Sequence, residues 1–239
     1  MRNLIFSCVA AAAWIGLAAP KAAAHSPVLV ELFTSQGCGA CVKANSLVAE
    51  AGRGHDVLVL TYNVDYWDYL GWRDTFAKPE FAHRQRAYAA AIGKRALTTP
   101  QIVVQGARGA EQVKPDTLTR LLAAPSPGPA TRLRGEMTAG GAHRISIAAS
   151  PGLVDAEVWL AEFEPGPMFV DVAKGENAGQ RVAHYNVVRR LQRVGAWRGE
   201  ATQWTTPRCA KACALIVQSR KGPVLAAWRF ETAQLTAKN

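Results

Sequence analysis

The chain has 239 residues, of which 49% are hydrophobic, and a formal net charge of +10 from 28 basic and 18 acidic residues. A chain of this size buries roughly 70% of the surface of its unfolded state, enough for one large or two small cores without disulfide staples. Because the basic residues are spread over the whole length, the charge favours a solvated basic surface over a nucleic-acid partner.

The first 24 residues predict a cleaved secretory signal. Arg2 precedes an apolar segment from Leu4 to Ala19, and Ala22-Ala23-Ala24 has the small-residue form of a signal-peptidase site. The alternative is an uncleaved membrane anchor, but the apolar segment is Ala-rich and shorter than a full span. We therefore expect an exported protein, periplasmic or secreted, that is not membrane-spanning after cleavage and begins near His25.

The next segment predicts a strand followed by a helix, with two cysteines at their junction. Residues 28–33 form an apolar run typical of a buried strand, and Thr34-Ser35-Gln36-Gly37 interrupts it with turn residues. A helix is predicted from Ala40 to Ala51, which places Cys38 at its N-terminus and Cys41 one turn further along. The helix dipole lowers the pKa expected for the Cys38 thiol below about 8.5, so Cys38-Gly39-Ala40-Cys41 predicts a redox dithiol or a soft-metal site.

Further elements complete a βαβαββα order up to residue 124. They are a strand over 56–62, a helix over 78–92, strands at 101–105 and after the turn at 106–109, and a helix over 114–122. Between the second strand and the second helix lies a segment rich in Asp and aromatic residues. Its Tyr66, Trp67 and Trp72 could line a substrate groove or hold a long crossover on the sheet. Its two carboxylates fall short of a calcium site, and no metal is predicted there.

A composition change at residues 125–130, Pro-Ser-Pro-Gly-Pro-Ala, predicts a linker between two domains. The first domain would cover residues 25–124 with an insertion around 63–94, and the second residues 131–239. Strands are predicted at 144–148, 156–161, 181–190, 214–218 and 224–230. A β-sandwich is the expected architecture for this β-rich second domain.

Cys209 and Cys213 form the second cysteine pair. In an oxidising compartment the favoured interpretation is a structural disulfide that closes a small loop. A second redox pair and a metal site shared with Cys38 and Cys41 are the alternatives, although the spacing of the second pair fits zinc poorly.

The element order, the Cys-x-x-Cys at the first junction and Thr99-Pro100 before the third strand resemble the thioredoxin fold. The resemblance implies a cis bond before Pro100 and a role for Thr99 in binding the backbone of a substrate. It also implies that Glu31, seven residues before Cys38, could carry a proton for the dithiol. The alternatives are an ordinary trans-proline and an exposed strand carboxylate.

A closer resemblance covers nearly the whole chain after the signal. Residues 30–38, residues 64–72, Gly175-Glu176-Asn177 and residues 184–189 are similar to the DUF1223 family of exported bacterial proteins with a thioredoxin-like domain. That resemblance implies the fold more than it implies a function.

Together these observations predict a periplasmic thiol-disulfide oxidoreductase. Cys38 would attack, Cys41 would resolve the mixed disulfide, and the redox-active disulfide would serve in place of a cofactor. Its partners would be a substrate bearing a thiol or disulfide and a separate redox partner. The alternative is a non-catalytic binding module, or a protein that binds Cu(I) or another soft metal through the same pair.

Overall fold

The computed structural model describes residues 26–54, 56–126, 131–152 and 155–230. The predicted signal, residues 1–24, lies outside the described residues, as do residues 127–130 of the predicted linker. Among the described helices, none has the length and hydrophobicity needed to cross a bilayer.

The first half of the chain contains every described α-helix. The order is β1 (Val28–Thr34), α1 (Gly39–Ala51), β2 (Val57–Asn63), a 3₁₀ turn (Asp68–Leu70), α2 (Pro79–Ala91), β3 (Gln101–Val104), β4 (Arg108–Ala110) and α3 (Pro115–Ala123). The predicted βαβαββα order is thus confirmed, with boundaries shifted by one or two residues.

The second half is built of strands. They are β5 (Leu133–Met137), β6 (His143–Ile147), β7 (Ala156–Glu164), β8 (Met168–Asp171), β9 (Arg181–His184), β10 (Val187–Trp197), β11 (Thr202–Thr206), β12 (Ala212–Ser219) and β13 (Val224–Phe230).

Strands from both halves form one mixed sheet of eight strands in the order β13-β12-β7-β10-β2-β1-β3-β4. β1 is parallel to β2 and antiparallel to β3. Both faces of β1 are buried: Val30 and Leu32 belong to a cluster with Ala44 of α1, whereas Leu29 and Phe33 belong to another with α2 residues. Burial on both faces explains why β1 does not alternate between apolar and polar residues.

The structure differs from the predicted independent sandwich in the second half. Val187 of β10 pairs in parallel with Thr61 of β2, and the Thr61 amide donates to the Asn186 carbonyl (2.9 Å). The long strands of the second half thereby extend the first-half sheet and cover the edge that β2 would otherwise leave unpaired. A three-stranded sheet in the order β11-β6-β5 packs through Ile145 and Ile147 against the strands that the second half adds to the large sheet.

Candidate functional site

The two cysteines of the predicted dithiol form a disulfide at the start of α1. Cys38 is the N-cap residue, with extended backbone dihedrals, and α1 begins at Gly39. The Cys41 amide donates to the Cys38 carbonyl (3.1 Å), which closes the first turn. The Cα atoms of Cys38 and Cys41 are 5.4 Å apart, and each residue is only 1% exposed. The sequence therefore predicted the position of this pair correctly, but not its burial.

The segment before β3 lies beside the disulfide, as the sequence predicts. The Cys38 Sγ atom is 3.7 Å from the Thr99 carbonyl oxygen, and the Thr99–Pro100 peptide bond is cis. The Gln85 side chain of α2 donates to the Thr98 carbonyl (2.8 Å) and to the Gln101 side chain (2.9 Å). Residues 98–101 are thus held on both sides of the backbone group that contacts sulfur.

Gly175, Glu176 and Asn177 form a cover over the disulfide turn, and we call these three residues the cover segment. The Asn177 side chain is 1% exposed, and its amide donates to the carbonyls of Gln36 (2.8 Å) and Cys38 (2.9 Å). The Glu176 amide donates to the Gly37 carbonyl (3.1 Å). These bonds attach the cover segment directly to the loop that carries Cys38.

The conformation of Gly175 permits this close approach. Its φ angle is +83°, and a Cβ atom there would lie 3.3 Å from the Gly37 carbonyl oxygen. Glycine alone adopts such a backbone conformation at little cost. A larger residue would push the cover segment away from the disulfide turn.

Glu176 also occupies the N-terminus of α1. The Gly39 amide donates to its carboxylate (2.8 Å), which satisfies one of the unpaired amides at the helix start. The same helix dipole would favour a thiolate on Cys38. In the structure, therefore, the carboxylate of Glu176 binds at the helix N-terminus, where the sequence predicted a thiolate on Cys38.

A buried aspartate also holds the disulfide loop in place. Asp74, 4% exposed, accepts hydrogen bonds from the Gln36 amide (2.7 Å) and the Asn63 side chain (2.9 Å). Burial raises the pKa of Asp74 above its usual value, and the hydrogen bonds from Asn63 and Gln36 oppose that rise. Asp74 therefore links the end of β2 to the residue two positions before Cys38.

The three aromatic residues of the predicted groove make internal contacts. Trp72 donates through its indole N–H to the Gln36 side chain (3.0 Å), and Tyr66 donates to the Gln85 side chain (3.1 Å). Tyr66 and Trp67 also pack against the core, and burial raises the pKa of Tyr66 to about 12. These contacts match the interpretation in which the aromatics hold the crossover on the sheet. A substrate-binding role for them stays a prediction.

Glu31 is buried, as the proton-transfer interpretation requires, but its partners were not predicted from the sequence. It is fully buried, not an exposed strand carboxylate, and its two oxygens accept hydrogen bonds from Arg84 (2.7 and 3.1 Å). The Tyr88 hydroxyl also donates to it. Because side chains alternate along a strand, Glu31 faces α2 and not α1. Its partners are thus Arg84 and Tyr88 and not a cysteine, and proton transfer to the dithiol stays a prediction.

His184 connects α1 to β9. The Asn45 amide nitrogen lies 3.4 Å from His184 Nδ1, and it donates to the Ala183 carbonyl (3.3 Å). Burial lowers the pKa of His184 to about 4, so the imidazole is neutral near pH 7. The neighbouring Asn186 has a positive φ angle of 47° and separates β9 from β10, which the sequence had predicted as one strand.

The second cysteine pair is also a disulfide, between Cys209 and Cys213. Both residues are buried, at 3% and 1% exposure. His143 Nε2 lies 3.5 Å from Cys213 Sγ and accepts a hydrogen bond from the Cys209 amide (3.4 Å). The sequence does not indicate the contact with His143, because that residue is 66 positions from Cys209.

In the sequence the cover segment stands out only as part of the resemblance to the DUF1223 family, with no role predicted for it. Its three polar or small residues carry no periodicity, and their contacts reach residues more than 130 positions earlier. The signal that could have identified them is the run Gly-Glu-Asn itself, because it combines a residue suited to positive φ with two side chains able to cap a helix N-terminus.

The chain resembles one protein family in sequence and one solved structure in fold. Residues 29–218 match the family described as "Protein of unknown function (DUF1223)". A structural-genomics crystal structure of a protein from Agrobacterium tumefaciens has a TM-score of 0.74 and 29% sequence identity; the match covers 90% of this chain and 99% of that one. No curated protein matches the sequence.

Proposed function

We propose that this chain, which belongs to the DUF1223 family of proteins of unknown function, is a thiol-disulfide oxidoreductase acting through Cys38 and Cys41. The observation that carries the proposal is the disulfide at the start of α1, with Cys38 Sγ 3.7 Å from the Thr99 carbonyl. The helix start would stabilise a thiolate on Cys38. The neighbouring Thr99 carbonyl would accept a hydrogen bond from the backbone of a bound polypeptide.

The first half is, in this proposal, a thioredoxin-like unit. Support comes from the order β1-α1-β2-α2-β3-β4-α3 and from the central position of β1 between a parallel β2 and an antiparallel β3. In such a unit the residues before β3 contact the substrate. Thr99 and Pro100 would therefore hold the substrate backbone against Cys38.

The exchange proceeds in two balanced steps. A substrate thiolate attacks Cys38 Sγ, which breaks the Cys38–Cys41 bond and leaves Cys41 as a thiolate that takes a proton. A second substrate thiolate then attacks the sulfur of its own chain in the mixed disulfide, and Cys38 leaves as the thiolate. The substrate loses two electrons and the protein gains them, and the reverse sequence reduces a substrate. Because the dithiol itself holds the electrons, the proposal requires no cofactor.

The cover segment must move before a protein substrate can reach Cys38. Each sulfur-bearing residue is 1% exposed, and Glu176 and Asn177 bond directly to the disulfide turn. An incoming backbone would compete for the same amide and carbonyl groups. We place the resting protein in a closed state that a substrate opens.

The compartment in this proposal is the periplasm or the exterior of a bacterial cell. The signal-like first 24 residues and the presence of two disulfides support it, because disulfides persist in oxidising compartments. The partners are a thiol or disulfide of a protein or small molecule and a separate redox partner.

A mixed-disulfide trap tests the function directly. In the Cys41→Ser variant the resolving thiol is absent, so substrate should remain bound to Cys38 and be released by a reductant. The control is Cys38→Ser, which should trap nothing at this site. Insulin reduction and refolding of scrambled ribonuclease should show turnover with wild type and none with Cys38→Ser. Absence of both turnover and trapped partner would refute the oxidoreductase.

The burial of both sulfurs favours a second candidate, a non-catalytic module in which the disulfide is only a staple. That candidate predicts that the Cys38–Cys41 disulfide stays intact in a buffer that is reducing enough to convert a redox-active disulfide to two thiols. It also predicts that Cys38→Ser lowers stability as much as Cys41→Ser, with no partner captured by either variant.

A further inference from the structure

A three-residue cluster in the second half combines two sulfurs and one imidazole. One ligand atom from each of His143, Cys209 and Cys213 lies within 4.8 Å of the others, and all three residues are buried. A small cavity of about 30 Å³ adjoins them, with Arg208 and Met137 also in its lining. A cavity of about 10–15 Å³ by the same measure already holds one water molecule, so a single ion could be accommodated.

The cluster is held by strands of both sheets. His143 begins β6 in the three-stranded sheet, and Cys213 lies in β12 of the eight-stranded sheet. The His143 ring packs against Phe230, with ring centroids 4.2 Å apart. Positions fixed by regular strands and a packed ring are suited to a site that requires defined geometry.

The distances already approach those of shared ligands. With bond lengths of about 2.3 Å to sulfur and 2.0 Å to nitrogen, the values known for zinc, two ligands of a trigonal ion lie roughly 3.7 Å apart. His143 Nε2 lies 3.5 Å from Cys213 Sγ. The Nε2 lone pair is free of a proton, because it accepts from the Cys209 amide. It therefore points toward the Cys209 amide, and an ion bound to Nε2 would replace that hydrogen bond.

We propose that the Cys209–Cys213 pair is a redox-controlled metal site: once the disulfide is reduced, both thiolates and His143 Nε2 bind one Cu(I) ion. A dithiol reductant supplies two electrons and two protons, which yields two thiols here and one disulfide in the reductant. Cu(I) then displaces the two thiol protons into solvent. Exchange with a disulfide of another molecule re-forms the Cys209–Cys213 bond and leaves that molecule with two thiolates, which removes two of the three ligands and releases the ion.

The ligand set favours Cu(I) over harder or divalent ions. Thiolates select soft ions, and Met137 in the cavity wall adds a thioether of the same class. Three ligands suffice for a trigonal Cu(I) centre, whereas zinc in structural sites takes four. Two thiolates with Cu(I) leave one net negative charge, and Arg208 in the cavity wall provides a compensating positive charge.

The test uses the mature chain carrying Cys38→Ser and Cys41→Ser, so that only the second pair can bind. The protein is reduced with a phosphine, desalted without oxygen and titrated with Cu(I) against a coloured Cu(I) chelator. We expect one ion per reduced chain and none per oxidised chain. His143→Gln should weaken binding about tenfold or more, whereas the control His83→Gln, at an exposed position of α2, should not change it.

Three outcomes would overturn the proposal. They are no retained copper in the reduced protein, equal affinity in His143→Gln and His83→Gln, and binding of zinc without Cu(I). If the Cys38→Ser/Cys41→Ser variant does not fold, the same titration compares reduced wild type with Cys209→Ser/Cys213→Ser. Wild type should then bind one ion more than that variant, and an equal number would refute the site. None of these results depends on turnover at Cys38.

Discussion

Removal of the Asn177 side-chain amide should open the site without altering either cysteine. In the structure this amide donates to two carbonyls of the disulfide turn, at 2.8 and 2.9 Å. A typical hydrogen bond contributes about 1 kcal/mol net, so Asn177→Ala should weaken the closed state by about 2 kcal/mol. Since 1.4 kcal/mol is a factor of ten, the open population should rise about 30-fold.

The assay is the rate at which a small dithiol reduces the Cys38–Cys41 disulfide under native conditions. Samples are quenched with an alkylating reagent and quantified by mass spectrometry. Gln180→Ala, which shortens an exposed amide of the same loop, is the matched control and should react at the wild-type rate. The Cys209–Cys213 disulfide serves as an internal reference for general loosening.

The expected result is a 10- to 30-fold faster reduction of Cys38–Cys41 in Asn177→Ala, with an unchanged rate at the second disulfide. Equal rates for Asn177→Ala and Gln180→Ala would refute the idea that the cover segment limits access. Equal acceleration at both disulfides would assign the effect to global destabilisation.

Three other predictions concern groups outside the disulfide turn. Arg84→Met leaves the buried carboxylate of Glu31 without its cation, and it should lower the free energy of unfolding, measured with urea, by about 3–5 kcal/mol. The double variant Arg84→Met/Glu31→Leu should recover much of that loss. A loss that is not recovered would show that the unpaired carboxylate is not its cause. Gly106→Ala should cost about 2 kcal/mol or more, because φ is +62° and a Cβ atom would lie 2.2 Å from the Gly222 carbonyl oxygen; a melting temperature equal to wild type would contradict this. Burial lowers the pKa of His184 to about 4, below the value of about 6.5 in the unfolded chain. As pH falls, the unfolded chain therefore binds the proton first. The free energy of unfolding should decrease between pH 6.5 and 4, by about 3 kcal/mol at most. Urea unfolding across this range should show a smaller pH dependence in His184→Gln than in wild type, and identical slopes would contradict it.

The sequence predicted most accurately the elements whose burial gives a clear pattern. The predicted strand over 224–230 matches β13 in both bounds, and β1 and β2 begin or end within one residue of their predicted bounds. In contrast, β5, β8 and β11 were not predicted. In β5 only Leu133 is buried, and β8 has no buried residue. Such strands form because a neighbour supplies hydrogen bonds, and composition alone does not reveal that.

The candidate site likewise contains parts that were predicted from the sequence and parts that were not. The proximity of Cys38 to Thr99 was expected from the resemblance to the thioredoxin fold, and in the structure the end of β1 and the start of β3 meet at one edge of the sheet. The run Gly-Glu-Asn indicates a cap, but the helix that the cover segment caps could not be predicted, because its contacts depend on how the second half joins the sheet at β2. Glu31 illustrates a third case: its seven-residue offset from Cys38 did not reveal which face of β1 it occupies.

The cover of Cys38 also sets an order of events during synthesis. The Asn177 amide that bonds to the Cys38 carbonyl lies 139 residues further along the chain, and Ser26 bonds to Ala227 across 201 residues. Contacts this distant in sequence form late, since the intervening chain must close first. A chain that has emerged only as far as α3 therefore presents both cysteines to its surroundings, and an enzyme that oxidises them at this stage meets them without the cover segment.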